Sequence, residues 1–430
     1  MARLDDEQDF DERRLKRRAR RKKSQLTAIT VLVIFILIIM LAVIGGIFGV
    51  KKLLLKAPKK AEEAVTSEAS LEASEPAVIE TPEEEPEVEE LSEDDILNEI
   101  VDTCISEMPI EDKVAGLFIV SPEQLTGVET AVKAGSGTQE ALTEYAVGGV
   151  LYSAKNIKSE DQIKEMLSST TSMSKYPLFT VVREDGSKSS AVTSSLGAGE
   201  TEGITDPETA SDASDKLGSR LFDLGFNVDL APYVVLDRGE EENLDPETVK
   251  AVNSAVSKGL SAAGVMACAG RFPLDADTLA GMAKSDLSYD DLATGEYEMF
   301  KGLIDSGDIQ AVMMSNISLP EVTSDNTPAS LSSKVVTESL RETLGFDGIV
   351  ITAPLNEGAV TEYYTSEEAA VEAVRAGADM LLVPEDFKAA YEGLLTAVSD
   401  GRITEDRINE SLKRIYAIKY SDRASQVSGS

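Results

Sequence analysis

The sequence predicts an α/β chain: a TIM-type (β/α)8 barrel preceded by one transmembrane helix and a disordered linker. Three observations predict it. An uncharged apolar run of 25 residues lies near the start, a stretch rich in Glu and Pro follows it, and beyond residue 92 eight short apolar runs alternate with amphipathic segments. The implied divisions are a basic cytoplasmic tail at 1–25, the span at 26–50, an acidic linker at 51–92, the barrel at 93–421 and a disordered tail at 422–430.

The span, Leu26 to Val50, is mostly Ile, Leu and Val. As a helix it measures roughly 37 Å, enough to cross a bilayer core. It is longer than the apolar region of a signal peptide, and no convincing small-residue cleavage motif follows. Ten Lys or Arg precede it and five follow closely (Lys51, Lys52, Lys56, Lys59, Lys60), an asymmetry that places the N-terminus in the cytoplasm. Everything after Val50 is then extracytoplasmic, at the cell membrane. The basic run Arg13 to Lys23 reads as a topology and anionic-lipid signal. A nucleic acid partner is excluded by the formal charge of −36. From about Ala57 to Glu90 the chain is Glu, Pro, Ala and Ser, with too little apolar surface to offset chain entropy. It reads as a self-repelling tether that reaches on the order of 100 Å.

The eight apolar runs are Leu117 to Val120, Gly149 to Tyr152, Leu178 to Val182, Phe226 to Leu230, Val265 to Ala269, Ala311 to Met314, Gly348 to Thr352 and Met380 to Val383. Helical periodicity fills the intervals, at Asp161 to Met173, Pro207 to Leu224, Pro246 to Ala263 and Ser366 to Ala376. Asp206-Pro207 and Asp245-Pro246 are helix-start signals. Short buried strands alternating with helices indicate parallel βαβ units. An open doubly wound sheet is the alternative, and the lack of a Gly-rich fingerprint after the first strand weighs against it.

In a barrel, chemistry gathers at the C-terminal ends of the strands. Here those ends carry Ser121, Ser153, Arg183-Glu184-Asp185, Ala231-Pro232, Gly270-Arg271-Phe272-Pro273, Ser315-Asn316, Ala353-Pro354-Leu355-Asn356 and Pro384-Glu385. The chain has no His, which removes imidazole-based nucleophile activation, most zinc sites and imidazole proton shuttling. Its two cysteines, Cys104 and Cys268, read as small buried apolar residues, with a single bridge as the other reading. No phosphate cradle, metal cluster or redox motif stands out, so no cofactor is expected.

Read in order, the strand ends and their flanks resemble family 3 glycoside hydrolases, above all the single-domain β-N-acetylhexosaminidase branch. The resemblance runs from about Met108 to Lys419. Its carriers include Met108-Pro109-Ile110-Glu111-Asp112-Lys113-Val114, Val147-Gly148-Gly149-Val150-Leu151-Tyr152, Leu230-Ala231-Pro232, Thr327-Pro328-Ala329-Ser330-Leu331-Ser332, Leu344-Gly345-Phe346-Asp347-Gly348 and Ala376-Gly377-Ala378-Asp379-Met380.

The resemblance implies a nucleophilic Asp directly after the seventh strand, in a pattern like TDDLEM. The matching run is Thr352-Ala353-Pro354-Leu355-Asn356-Glu357, so the nucleophile position holds Ala353. It also implies an Asp–His pair on a loop introduced by KHFPGHGDT. There, Phe272, Pro273, Asp277 and Thr278 match, while Gly270, Arg271 and Asp275 occupy the Lys and His positions. The sugar-gripping Asp of a DQEGGR signature is replaced by Arg183, the usual His after the sixth strand by Asn316, and an Arg-containing stretch after the fourth strand by Arg238 to Leu244. A retaining glycosidase needs a carboxylate nucleophile about 5 Å from an acid/base group, which a methyl group does not supply.

The expectation is a catalytically degenerate glycosidase-like barrel outside the membrane, acting as a binding module for cell-wall glycan or a partner protein. Arg183, Glu184, Asp185, Asp229, Arg271, Asp277, Asn316 and Asn356 are its candidate ligand-binding residues. Arg183 and Arg271 are candidates for holding a carboxylate, or else for ion pairs with Asp185 or Asp275. One alternative is an active O-glycosyl hydrolase of β-N-acetylhexosaminidase or β-glucosidase type, drawing relocated carboxylates from Glu184, Asp185, Asp229, Asp275, Asp277 and Glu357. Another is a structural spacer with no ligand at the mouth.

Overall fold

The computed structural model describes residues 92–185, 189–197, 206–230 and 246–428. The expected span at Leu26 to Val50 and its linker lie outside them. Among the described residues no helix is long and apolar enough to cross a membrane.

All eight expected strands form: β1 (Phe118–Val120), β2 (Gly149–Leu151), β3 (Phe179–Val182), β4 (Val228–Asp229), β5 (Met266–Phe272), β6 (Ala311–Met314), β7 (Ile349–Ile351) and β8 (Leu381–Leu382). Every neighbouring pair is parallel, in the order β7-β6-β5-β4-β3-β2-β1-β8. The seam between β7 and β8 is drawn together by an isolated parallel bridge between Ile351 and Met380. Across it Thr352 N–H donates to the Met380 carbonyl at 3.0 Å, and Leu355 N–H to Leu382 at 2.9 Å. The result is an all but closed parallel barrel ringed by helices. Its strands are apolar because the barrel buries them on both faces, and residues such as Val120, Val181, Val228, Val312, Val350 and Leu381 are almost completely removed from water.

The helix-start reasoning holds at Asp206-Pro207, while Asp245 of the second signal lies outside the described residues. Pro207–Leu224 begins where the Asp206 carboxylate accepts the Thr209 N–H and ends at Gly225, whose φ of 98° suits only a residue without a Cβ. Ser366–Ala376 has a capping box from Thr365 and Glu368 and stops at Gly377. Close packing at the base of the barrel requires Gly148: a Cβ there would lie 2.0 Å from the Gly116 carbonyl oxygen.

The last helix, Glu405–Ser428, departs from expectation. It continues through 422–428, where the sequence pointed to a disordered tail. Ala424 and Gln426 favour the helix, and no Gly or Pro interrupts it before Gly429. Both described cysteines are free. Cys268 is buried, as expected, but Cys104 is half-buried, with its sulfur 3.4 Å from the Tyr420 hydroxyl.

Lys419 projects from this helix onto the barrel base. Its ammonium donates to the Gly148 carbonyl at 2.8 Å and lies 4.6 Å from the Phe179 ring centroid and 5.1 Å from that of Tyr416. Burial pushes its pKa down to about 7 from the ordinary 10.5, with Cys104 acting weakly the other way. Between those values the unfolded chain holds a proton that the folded chain has lost. The Lys419 contribution is therefore full above about pH 10.5 and is lost as pH falls to about 7. Unfolding midpoints measured between pH 7 and 10 are expected to rise with pH, and Lys419→Met to flatten that rise. An unchanged slope in the variant would remove Lys419 as its source.

Candidate functional site

The C-terminal end of β7 leads directly into Thr352 and Ala353. Ala353 is fully buried, and its N–H donates to the Ser330 hydroxyl at 3.1 Å, which in turn donates to the Ser315 carbonyl at 2.9 Å. The position that the sequence resemblance matches to a nucleophile thus carries a buried methyl group whose backbone N–H is held by Ser330.

Four residues later the chain places Glu357, buried at 5% exposure, at the centre of a polar network. One carboxylate oxygen accepts the Thr278 hydroxyl at 2.5 Å and the Asn316 amide at 2.9 Å. The other faces the Arg271 guanidinium at 3.5 Å. Arg271, the penultimate residue of β5, is itself buried and also reaches Asp275 at 3.5 Å. Asn316 makes a second amide bond to the Pro354 carbonyl at 2.9 Å. Backbone bonds complete the join, since Gly358 N–H donates to the Leu279 carbonyl at 2.9 Å and Ala359 N–H to Thr278 at 3.1 Å. The loops after β5, β6 and β7 are thereby one unit, and its hub is a carboxylate.

A second cluster forms at the ends of β3 and β4. Glu184 is completely buried, accepting Val192 N–H at 2.6 Å, Thr193 N–H at 3.1 Å and the Thr193 hydroxyl at 2.8 Å. It anchors the short helix Ala191–Leu196. Asp229 is also completely buried and accepts the Glu184 N–H at 2.9 Å through one oxygen. Burial raises its pKa well above the ordinary carboxylate value, against the pull of that amide bond; the Glu184 charge raises it further. Asp185 pairs with the Ser190 hydroxyl. The Arg183 guanidinium is pushed down by partial burial and then by the charge of Arg271, while Asp275, Asp185 and Glu357 act the other way.

The structure brings Arg271 and Asn316 together and joins Glu184 to Asp229. Asp277 and Asn356 are exposed on the rim, Asp277 accepting the Leu279 N–H at 3.2 Å. Arg271 makes the ion pair with Asp275 that the sequence allows, and Glu357 adds a second partner. The segment Arg238 to Leu244 lies outside the described residues. Sequence reasoning counted Glu357 only among spare acids. Its role depends on Thr278 and Asn316, 79 and 41 residues away, and no local pattern announces it.

A cleaving pair needs one carboxylate open towards the anomeric carbon or a water, and another presenting a proton to the leaving oxygen. Glu184 and Glu357 direct their oxygens at protein donors, and Asp229 is sealed. Asp275 and Glu357 flank one guanidinium, that of Arg271, at 3.5 Å each.

Comparison with known proteins gives a consistent result. The model of the glycosyl hydrolase family 3 N terminal domain matches residues 110–418. Beta-hexosaminidase A of Pseudoalteromonas piscicida is 23% identical over 326 residues, 65% of this chain and 54% of that protein. The chain thus spans about half the length of that relative. The beta-hexosaminidase of Hydrogenovibrio crunogenus is 27% identical over 280 residues, 60% of this chain and 77% of that protein. Among solved structures, a family 3 beta-N-acetylglucosaminidase from Paenibacillus superposes with a TM-score of 0.66 at 28% identity, covering 74% of this chain and 63% of that one. The beta-N-acetylhexosaminidase of Beutenbergia cavernae shares the fold at a TM-score of 0.62 and 23% identity, over 73% of this chain and 99% of that one.

Proposed function

The chain belongs to family 3 of the glycosyl hydrolases, and on that premise we propose that it is a non-hydrolytic member, held outside the cell membrane by its N-terminal span. There it acts as a binding module for cell-wall glycan or a partner protein. The observation that carries this reading is Ala353. A retaining mechanism passes through a sugar covalently attached to a carboxylate, and the aligned side chain is a buried methyl group. The absence of His from the whole sequence supports it, because no imidazole is available to move the proton. Arg271 at the aligned acid/base loop supports it again, since it is committed to Glu357 and Asp275. Anchoring is supported by the apolar run Leu26 to Val50 and the basic residues before it.

A second reading, turnover by relocated carboxylates, draws on the names of the relatives and on the carboxylates that cluster at the strand ends. It requires Arg271 to release Asp275 and Glu357. The full chain in detergent, mixed with chromogenic N-acetylglucosaminides and glucosides, separates the two. Chromophore release is expected at the buffer rate. Release at about 1 per second or faster, the ordinary enzyme range, would overturn the proposal.

A further inference from the structure

We propose that the helix Glu93–Glu107 is an acid-released clasp, closed over Lys419 at alkaline pH and loosened from the last helix as the pH falls to neutrality. The clasp sits at the barrel base, and it works alike whether the mouth binds a ligand, cleaves one or does neither.

This helix stands apart from the barrel proper. The family match begins at residue 110, and the extended pair Met108-Pro109, with ψ of 131° and 151°, separates the helix from the one that follows. It packs on the last helix, Glu405–Ser428, through one apolar stripe: Val101 and Ile105 are buried, and Leu97, Ile100 and Cys104 are partly so. Cys104 Sγ reaches the Tyr420 hydroxyl at 3.4 Å, and Lys413 meets Asp102 at 2.8 Å in a pair open to water on both sides. An exposed pair of that kind contributes little to holding the helix down.

The stripe closes over an amine that lacks a carboxylate. The Lys419 ammonium donates to the Gly148 carbonyl at 2.8 Å and faces the rings of Phe179 and Tyr416. Among the described residues, the one titratable group acting on its proton is the Cys104 thiol, carried by the clasp itself. The other groups around it are neutral or committed. On the last helix, burial pushes the Tyr416 hydroxyl up and keeps it protonated, with Tyr420 stacked beside it. Before β3, Tyr176 donates to Asp112 at 3.0 Å, and Lys175 meets the same carboxylate at 2.5 Å. A charged Lys419 is therefore held by one carbonyl and two ring faces, which offset only part of its lost hydration. Its pKa accordingly falls to about 7.

Moving the helix that carries Cys104 lets water reach the amine, which then takes up its proton near the ordinary 10.5. The opened form binds a proton that the closed form refuses, so falling pH between those values favours opening, and the effect saturates below about pH 6. Once released, a helix of 15 residues is marginal in water. Its residues then join the Glu- and Pro-rich segment before Ser92 and add reach on the order of 50 Å.

Hydrogen exchange on the full chain in detergent, corrected for intrinsic chemistry at each pH, reads the clasp. Protection of amides 97–107 is expected to fall about tenfold from pH 9 to pH 7 and to level off below about pH 6. The helix Ser366–Ala376 is expected to keep its protection throughout. Lys419→Met should hold the clasp closed at both pH values, Lys419→Arg, charged throughout, should leave it open at both, and Cys104→Ser should keep the wild-type response. Protection of 97–107 that ignores pH, an equal loss in Ser366–Ala376, an unchanged slope in Lys419→Met or a response lost in Cys104→Ser overturns the proposal. If the methionine variant does not fold, the arginine variant decides: protection of 97–107 at pH 9 equal to that of the wild-type chain overturns it as well.

Discussion

Replacing Asp379 with alanine is expected to lower stability by about 3–5 kcal/mol, the range for stripping a buried ion network of its central charge. Asp379 sits just before β8 with its side chain completely buried. It meets Arg341 at 2.5 Å and Arg414 at 3.2 Å, with Arg407 at 3.9 Å. It also accepts Val350 N–H at 2.9 Å and the Ser411 hydroxyl at 2.7 Å. Three partly buried guanidinium groups from two helices therefore converge on one carboxylate at the base of the barrel, beside the β7–β8 seam. Without it they repel one another in a region of low dielectric, and the Val350 amide loses a partner. Asp379→Asn keeps an acceptor but not the charge and is expected to fall between wild type and alanine. Urea unfolding followed by circular dichroism measures the shift. A loss below about 1 kcal/mol for the alanine variant would mean that the arginines are satisfied by the carbonyls they also touch.

The second large effect is expected at Glu357. Its replacement by alanine leaves Arg271 buried with only the exposed Asp275 and removes an acceptor from Thr278 and Asn316. Loss of one partner from a buried pair is worth about 3–5 kcal/mol, and here it is expected to fall locally on the join between the β5 and β7 loops. Hydrogen exchange gives the readout. The Gly358 and Ala359 amides, which donate across the join, should exchange much faster in Glu357→Ala, while amides of β1 and β2 keep their protection. Unaltered exchange at Gly358 and Ala359 would show that the backbone bonds alone hold the loops.

Much of the barrel was legible because its strands obey a simple physical rule. A strand buried on both faces must be apolar throughout, so runs such as Ala311 to Met314 stand out from amphipathic surroundings. Helix ends were readable where chemistry marks them, as at Asp206-Pro207 and Gly225. Strand ends were less so. β5 extends to Phe272, beyond the expected Ala269, because Phe272 pairs with Met314 across a register shift. That places Arg271 in the strand rather than in the following loop.

The candidate site divides along the same line. Ala353, Arg183 and Asn316 could be assigned from ordered strand ends, since each follows an identifiable strand. The network around Glu357 could not, because its members come from three separate loops and each is an ordinary polar residue in its local sequence. Glu184 was similarly opaque: only the fold turns the amides of Val192 and Thr193 towards it.

The central claim is that no carboxylate in this chain attacks a sugar. Intact-protein mass spectrometry after incubation with an activated fluorosugar, which accumulates any glycosyl-enzyme, tests it most directly. The account predicts a mass equal to that of the untreated chain. A mass increase of one fluorosugar residue, mapped to an Asp or Glu at the strand ends, would contradict it.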